Sequence, residues 1–155
     1  MKTKVLMVCL GNICRSPLAE GIFRWLTNTD DFYIDSAGTA NYHLGRSPEN
    51  RSISIAADNG IDISNQKARQ LTKHDLEKFN YILVMDKKNL CTTKSLCNSF
   101  QQEKKISMIT KTNGNEFVCI PDPYYGSADE FSEVFKLLTY YFKNWLSKYK
   151  LYENK

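Results

Sequence analysis

Nine consecutive residues, Cys9-Leu10-Gly11-Asn12-Ile13-Cys14-Arg15-Ser16-Pro17, carry a nucleophile, a fixed cation and the means to bend the chain between them. Cys9 closes a short apolar run and Pro17 is a helix-start residue, so the residues between must turn tightly. Their N–H groups are then left without strand or helix partners, and free amides at a helix N-terminus form an anion-binding nest. Gly11, and Asn12 after it, are the residues expected to take the positive φ of such a turn. A thiol at the centre of the nest is favoured as thiolate by the amides, the helix dipole and the Arg15 guanidinium. The Ser16 hydroxyl adds a further hydrogen bond to the sulfur. The same donors, from Leu10, Gly11, Asn12, Ile13, Cys14 and Arg15, fit three oxygens of a tetrahedral phosphate. Arg15 would grip two of them bidentately, which a lysine cannot do. The chemistry implied is attack of cysteine on phosphorus, with charge on the equatorial oxygens met by fixed dipoles. Cys9 alone would read as a small buried hydrophobe; its neighbours argue otherwise.

Expelling an alkoxide or phenolate needs a proton donor, and Pro121-Asp122-Pro123-Tyr124-Tyr125 supplies one. An Asp between two prolines sits on a stiff loop with few conformations to lose, which suits a group held within reach of a leaving oxygen. Asp122 would give that proton and later take one from water. Proline and aspartate are also ordinary turn residues, so the segment gains its meaning from the cysteine loop. Tyr124 and Tyr125, with Tyr42, could wall a deep slot that phosphotyrosine fills and phosphoserine does not.

Both loops must be positioned by regular elements. Lys4–Cys9 and Tyr81–Met85 read as strands buried on both faces, Phe32–Ser36 as another ended by Ala37-Gly38, and Lys105–Ile109 as a weaker fourth. A helix from Pro17 to about Thr27 places Leu18, Ile22, Trp25 and Leu26 on one face. Pro48 opens another, with Ile53, Ala56 and Ala57 apolar and Gly60 as its stop. Thr72 and Asp75 predict a capped short helix to Phe79, and a polar helix starts near Lys87. Phe131, Val134, Phe135, Leu138, Phe142, Trp145 and Tyr149 predict a long helix after Ser127. Asn98–Lys104 reads as an insertion-tolerant loop. Strands alternating with helices imply an α/β fold, a parallel sheet covered on both faces with ligands outside the carboxyl ends of its strands.

Composition narrows the class. The 155 residues suit one domain, expected to span 1–155 with a tail that frays after Tyr149. Lys and Arg exceed Asp and Glu by 21 to 17 without a basic block, which argues against nucleic acid. No apolar run approaches the roughly 18 residues that span a bilayer, so no membrane association is expected. Val5–Leu10 is too short for a signal peptide core and runs into Gly11–Arg15 rather than a cleavage site. Five cysteines, an odd number without an export signal, fit reduced thiols in a cytoplasmic setting. Two histidines without a Cys-x-x-Cys argue against zinc, and neither metal nor cofactor is expected.

The two end motifs, with Asp35-Ser36-Ala37-Gly38-Thr39 between them, resemble those of the low-molecular-weight protein tyrosine phosphatases over nearly the whole chain. The resemblance implies a flavodoxin-like domain whose four-stranded parallel sheet has the order 2-1-3-4, and a metal-free, two-step phosphocysteine mechanism. It gives Cys9 as nucleophile, Arg15 as phosphate clamp and Asp122 as acid. Asn12, Ser16 and Ser36 would hold the loop, and Tyr42, His43, Arg46, Tyr124 and Tyr125 would surround the mouth. Tyrosine-phosphorylated proteins are the implied substrates, and a cognate tyrosine kinase is admitted as a partner, since some bacterial members oppose such kinases. The aromatic surface near Tyr124 suits a monomer or weak self-association. One departure is Gln66, which stands where many members carry a loop-bracing His. His74 is expected at the surface, and His43 with Arg46 should make the mouth basic.

In that family a cysteine at the place of Cys14 traps an oxidised nucleophile as a disulfide. Cys91, Cys97 and Cys119 are expected to be packing residues; a spacing of six does not place Cys91 and Cys97 face to face on a straight helix. Two alternatives remain open from sequence. Thiol-dependent arsenate reductases resemble this fold and share its Cys-x5-Arg loop, but do not resemble the chain at Asp122–Tyr125. A phosphotyrosine-binding module would keep Arg15 while losing the nucleophile or the acid.

Overall fold

The computed structural model describes residues 1–111 and 118–153. Its elements run β1 (Thr3–Cys9), α1 (Arg15–Leu26), β2 (Phe32–Gly38), α2 (Asn50–Asp58), α3 (Lys73–Lys78), β3 (Tyr81–Val84), α4 (Lys87–Ser95), α5 (Phe100–Lys104), β4 (Ile106–Met108) and α6 (Ala128–Glu153). The strands form one parallel sheet in the order β2-β1-β3-β4, as the resemblance implied.

The side-chain alternation of β1 builds both layers. Val5, Met7 and Cys9 face a cluster that contains Leu18, Ile22 and Phe23 of α1 and Val134, Leu138 and Phe142 of α6. Leu6 and Val8 face the opposite cluster, with Leu76, Phe79, Ile106 and Met108. A strand with apolar neighbours on both faces needs a continuous apolar sequence, which is why this run was legible. Register pairs Cys9 with Gly38, so β1 and β2 end side by side.

Several expectations are corrected. α1 begins at Arg15, two residues before the expected Pro17, because the preceding loop and not a side-chain cap sets its start. Trp25 is 59% exposed, and Phe23 takes the buried position instead. Ala57 is exposed, while Ser52 and Ala56 are the buried positions of α2. The expected loop Asn98–Lys104 contains α5, capped by the Ser99 hydroxyl accepting the Gln102 N–H at 3.2 Å. α6 runs to Glu153, and 154 and 155 lie outside the described residues. Among the described residues no helix is long and apolar enough to cross a membrane.

Candidate active site

The loop after β1 is held from outside by its carbonyls. The Cys9 and Leu10 oxygens accept the Thr39 and Ala40 N–H groups, both at 2.9 Å, and the Ile13 oxygen accepts the Glu49 N–H at 2.7 Å. The Cys14 oxygen accepts the Ser52 hydroxyl at 3.2 Å. Each planar peptide whose carbonyl is tied outward turns its N–H to the inside. A Cβ on Gly38 would lie 2.7 Å from the Leu10 oxygen, so only glycine at the end of β2 lets the loop settle onto the sheet.

Asn12, at φ 57°, takes the left-handed position that was expected first of Gly11. Gly11 serves space instead: a Cβ there would come within 2.9 Å of His43 Cδ2, so His43 would have to shift from its place at the cavity. Asn12 suits its position because its amide is fully used. Its Oδ1 accepts the Arg69 N–H at 3.0 Å, and its Nδ2 donates to Ser16 Oγ at 2.7 Å and to Ser36 Oγ at 3.0 Å. Ser16 Oγ lies 3.0 Å from Cys9 Sγ; accepting from Asn12, it keeps its own proton free to donate to the sulfur. The Asn12 N–H donates to the same sulfur at 3.3 Å. Ser36 in turn donates to Glu20 Oε1 at 2.8 Å. Burial pushes the Glu20 carboxyl above its usual range, with Arg24, whose guanidinium lies 2.7 Å from it, and the Ser36 hydroxyl pulling the other way.

Arg15 is buried at the start of α1. Its Nη1 donates to Asp86 Oδ2 and to the Ile120 oxygen, each at 2.8 Å, and its Nη2 lies 3.7 Å from Asp122 Oδ2. Burial works against its charge, but the facing negative groups of Cys9, Asp86 and Asp122 outweigh it, and the guanidinium is held above its usual value. Asp122 sits on the loop after Ile120, its Oδ1 accepting the Tyr124 N–H at 3.1 Å. Cys14, although in the same loop, has its thiol pushed up to about 12 by burial and then by the charges of Asp122, Cys9 and Glu49.

These groups converge on one cavity of about 150 Å³, lined by Cys9, Leu10, Gly11, Ile13, Cys14, Arg15, Tyr42, His43, Asp122, Tyr124 and Tyr125. Tyr124 and Tyr125 meet edge to face at 4.9 Å between ring centres, and His43 stands 6.2 Å from Tyr124. The expected wall residue Arg46 is exposed and does not line this cavity. Gln66, at the place where many members of the resembled family carry a loop-bracing His, donates from Nε2 to the Pro17 oxygen at 3.1 Å, just past the Cys9 loop. His74 is exposed, as expected. Cys91 and Cys119 are exposed and not packing residues, because α4 turns Cys91 outward; Cys97 is half-buried against the second core cluster. Among the described residues no cluster of three or more His, Cys, Asp or Glu side chains is placed to hold a metal ion.

Sequence reading missed Asp86, Glu20, Arg69 and Arg51. Asp86 was findable, since an acidic residue just past a buried strand stands at the carboxyl edge of the sheet. Glu20 gave no signal: on a helix read as amphipathic a glutamate passes for the solvent face, and only the structure shows α1 buried from Arg15 to Phe23.

Comparison with known proteins gives a consistent result. A family model described as "Low molecular weight phosphotyrosine protein phosphatase" matches residues 4–155. The protein of that name from Sus scrofa is 40% identical over 137 residues, covering 85% of this chain and 86% of its own. The Saccharomyces cerevisiae protein of that name is 36% identical over 155 residues, with 95% of each covered. Among solved structures, a protein tyrosine phosphatase from Entamoeba histolytica with Hepes in the active site superposes with a TM-score of 0.91 at 30% identity, covering 98% of this chain and 99% of its own. Vibrio vulnificus Wzb in complex with benzylphosphonate gives 0.84 at 28% identity, covering 96% and 99%.

Proposed function

The chain belongs to the low molecular weight phosphotyrosine protein phosphatase family, and from that premise we propose that it hydrolyses phosphotyrosine monoesters in proteins through a phosphocysteine intermediate. Cys9 Sγ attacks phosphorus in line with the tyrosyl oxygen. As the S–P bond forms and the P–O bond breaks, the Asp122 carboxyl gives its proton to the departing phenolate oxygen. Arg15 and the inward amides hold the three equatorial oxygens. In the second step Asp122, now a carboxylate, takes a proton from water as it attacks phosphorus, and the S–P bond breaks to return Cys9 as thiolate.

The observation that carries this reading is the pair of donors on Cys9 Sγ, Ser16 Oγ at 3.0 Å and the Asn12 N–H at 3.3 Å. A packing cysteine has no need of two fixed donors, whereas a nucleophile and leaving group that alternates between thiolate and S-phosphocysteine does. Tyr42, Tyr124 and Tyr125 around the cavity favour a flat aromatic ester as the group that enters.

The test is hydrolysis of p-nitrophenyl phosphate in EDTA by wild type, Cys9→Ser and Asp122→Ala. Wild type should be active, Cys9→Ser inactive, and Asp122→Ala should lose about 10²–10⁴ in kcat. Activity that survives in Cys9→Ser, or that EDTA abolishes in the wild type, overturns the mechanism.

A further inference from the structure

We propose that Arg51, through its hold on the backbone after Asp122, is a positioning residue for the acid. The inference rests on Asp122 being the acid and base of the reaction proposed above. Arg51 reaches neither the cavity nor the reacting atoms; it reaches the loop that carries Asp122.

Its guanidinium acts as a fork. Nη2 donates to the Tyr124 oxygen at 2.7 Å and Nη1 to the Gly126 oxygen at 2.5 Å. Its Nε donates to Glu49 Oε1 at 2.9 Å, while Glu49 Oε2 accepts the Arg51 N–H at 2.7 Å. The guanidinium plane lies over the Phe131 ring, 4.4 Å from its centre. Every edge of the group is therefore committed, and its position is set by Glu49 and Phe131 rather than by the loop it holds.

The start of α2 thereby touches both reacting loops. The Glu49 N–H and the Ser52 hydroxyl bind the Ile13 and Cys14 oxygens of the nucleophile loop, and Arg51 binds two oxygens of the acid loop. The acid loop is anchored before Asp122 by Arg15 on the Ile120 oxygen and after it by Arg51. Asp122 itself is 43% exposed at its side chain, so packing does not place it. Two backbone anchors on a stiff proline loop do. A misplacement of about 1 Å is enough to cost a proton transfer roughly 10²-fold.

The experiment compares wild type, Arg51→Ala, Arg51→Lys, Arg51→Gln, Asp122→Ala and Arg51→Ala/Asp122→Ala on phenyl phosphate and p-nitrophenyl phosphate, with inorganic phosphate as competitive inhibitor and Tm recorded for each. Arg51→Ala should lower kcat/KM, which reports the step in which the ester oxygen departs, about 10–100-fold on phenyl phosphate and less on p-nitrophenyl phosphate, whose leaving group needs its proton less. Its phosphate inhibition constant should stay within about twofold of wild type, because the nucleophile loop keeps its own anchors. Arg51→Lys and Arg51→Gln should recover little, since neither reproduces the fork. In the Asp122→Ala background the Arg51→Ala loss should vanish. A full loss that persists in that background, an equal loss on both esters, or wild-type rates in all three Arg51 variants overturns the inference. If Asp122→Ala itself costs nothing, it is the acid assignment that fails. Should Arg51→Ala not fold, the same comparisons in Arg51→Lys and Arg51→Gln decide.

Discussion

Cys14 shares a loop with Cys9 but not its donors. With its thiol pushed up to about 12, it is protonated at neutral pH, and the proposed chemistry leaves the nucleophile's part to Cys9. We propose that, once peroxide has oxidised Cys9 to the sulfenic acid, the Cys14 sulfur attacks it, S–S forming as the S–O bond breaks and the hydroxyl leaves as water with the Cys14 proton. Wild type inactivated by peroxide should regain most of its activity with dithiothreitol, whereas Cys14→Ser should recover a small fraction. Equal recovery of the two would remove the protective role. At this scale the sequence pointed to the residues to which the proposed chemistry is assigned, but not to those that orient them. Cys9, Arg15 and Asp122 announce themselves by type and spacing. The division of labour between Gly11 and Asn12 does not, because it turns on His43 and Arg69, which approach from other parts of the chain.

Between elements, a short charged clip ties β2, α3 and the nucleophile loop together. The Arg69 side chain bridges Asp35, at 3.1 Å, and Asp75, at 3.0 Å, while its own N–H holds Asn12. Asp75 also closes the capping box of α3, its carboxylate accepting the Thr72 N–H at 2.8 Å. Burial alone would raise the Asp75 carboxyl, but the Arg69 guanidinium and the Thr72 donors outweigh it and hold it below the usual range. A carboxyl lowered on folding adds stability above its unfolded value, near 3.9, and that stability is lost as pH falls through the lower folded value. Asp75→Asn should therefore cost about 2 kcal/mol at pH 7 and flatten the decline of stability below about pH 4, read by urea unfolding across pH. An unchanged acid limb would contradict this. Glu20, raised by burial, tilts stability the other way, its share being lost as pH rises through its folded value. The capping box was legible because Thr72 and Asp75 are local. α5 was not, since Phe100–Lys104 is mostly polar and its start depends on a single serine.

On the scale of the whole molecule, the site is assembled where strands end. Arg15 meets an aspartate 71 residues away and a carbonyl 105 residues away, partners that only the order of the sheet brings together. Fold class was legible because alternating apolar runs and amphipathic stretches permit few other packings; the partners of Arg15 were not, because topology and not periodicity selects them. Charge acts at the same scale. The net charge is +4, His43 lines the cavity, and Arg46 stands exposed beyond it. Phosphopeptides with acidic flanks should show kcat/KM several-fold above basic-flanked ones at low salt, converging as ionic strength rises. Equal values at low salt would remove charge as a selector. The outward-tied carbonyls of the nucleophile loop have one more consequence. A cradle shaped before anything enters it makes no distinction between the phosphoryl group of an ester and a free phosphate ion. On the proposed chemistry, the ion released at the end of one turnover occupies the very place the next ester must take. Turnover is then throttled by its own product, most strongly where inorganic phosphate is abundant.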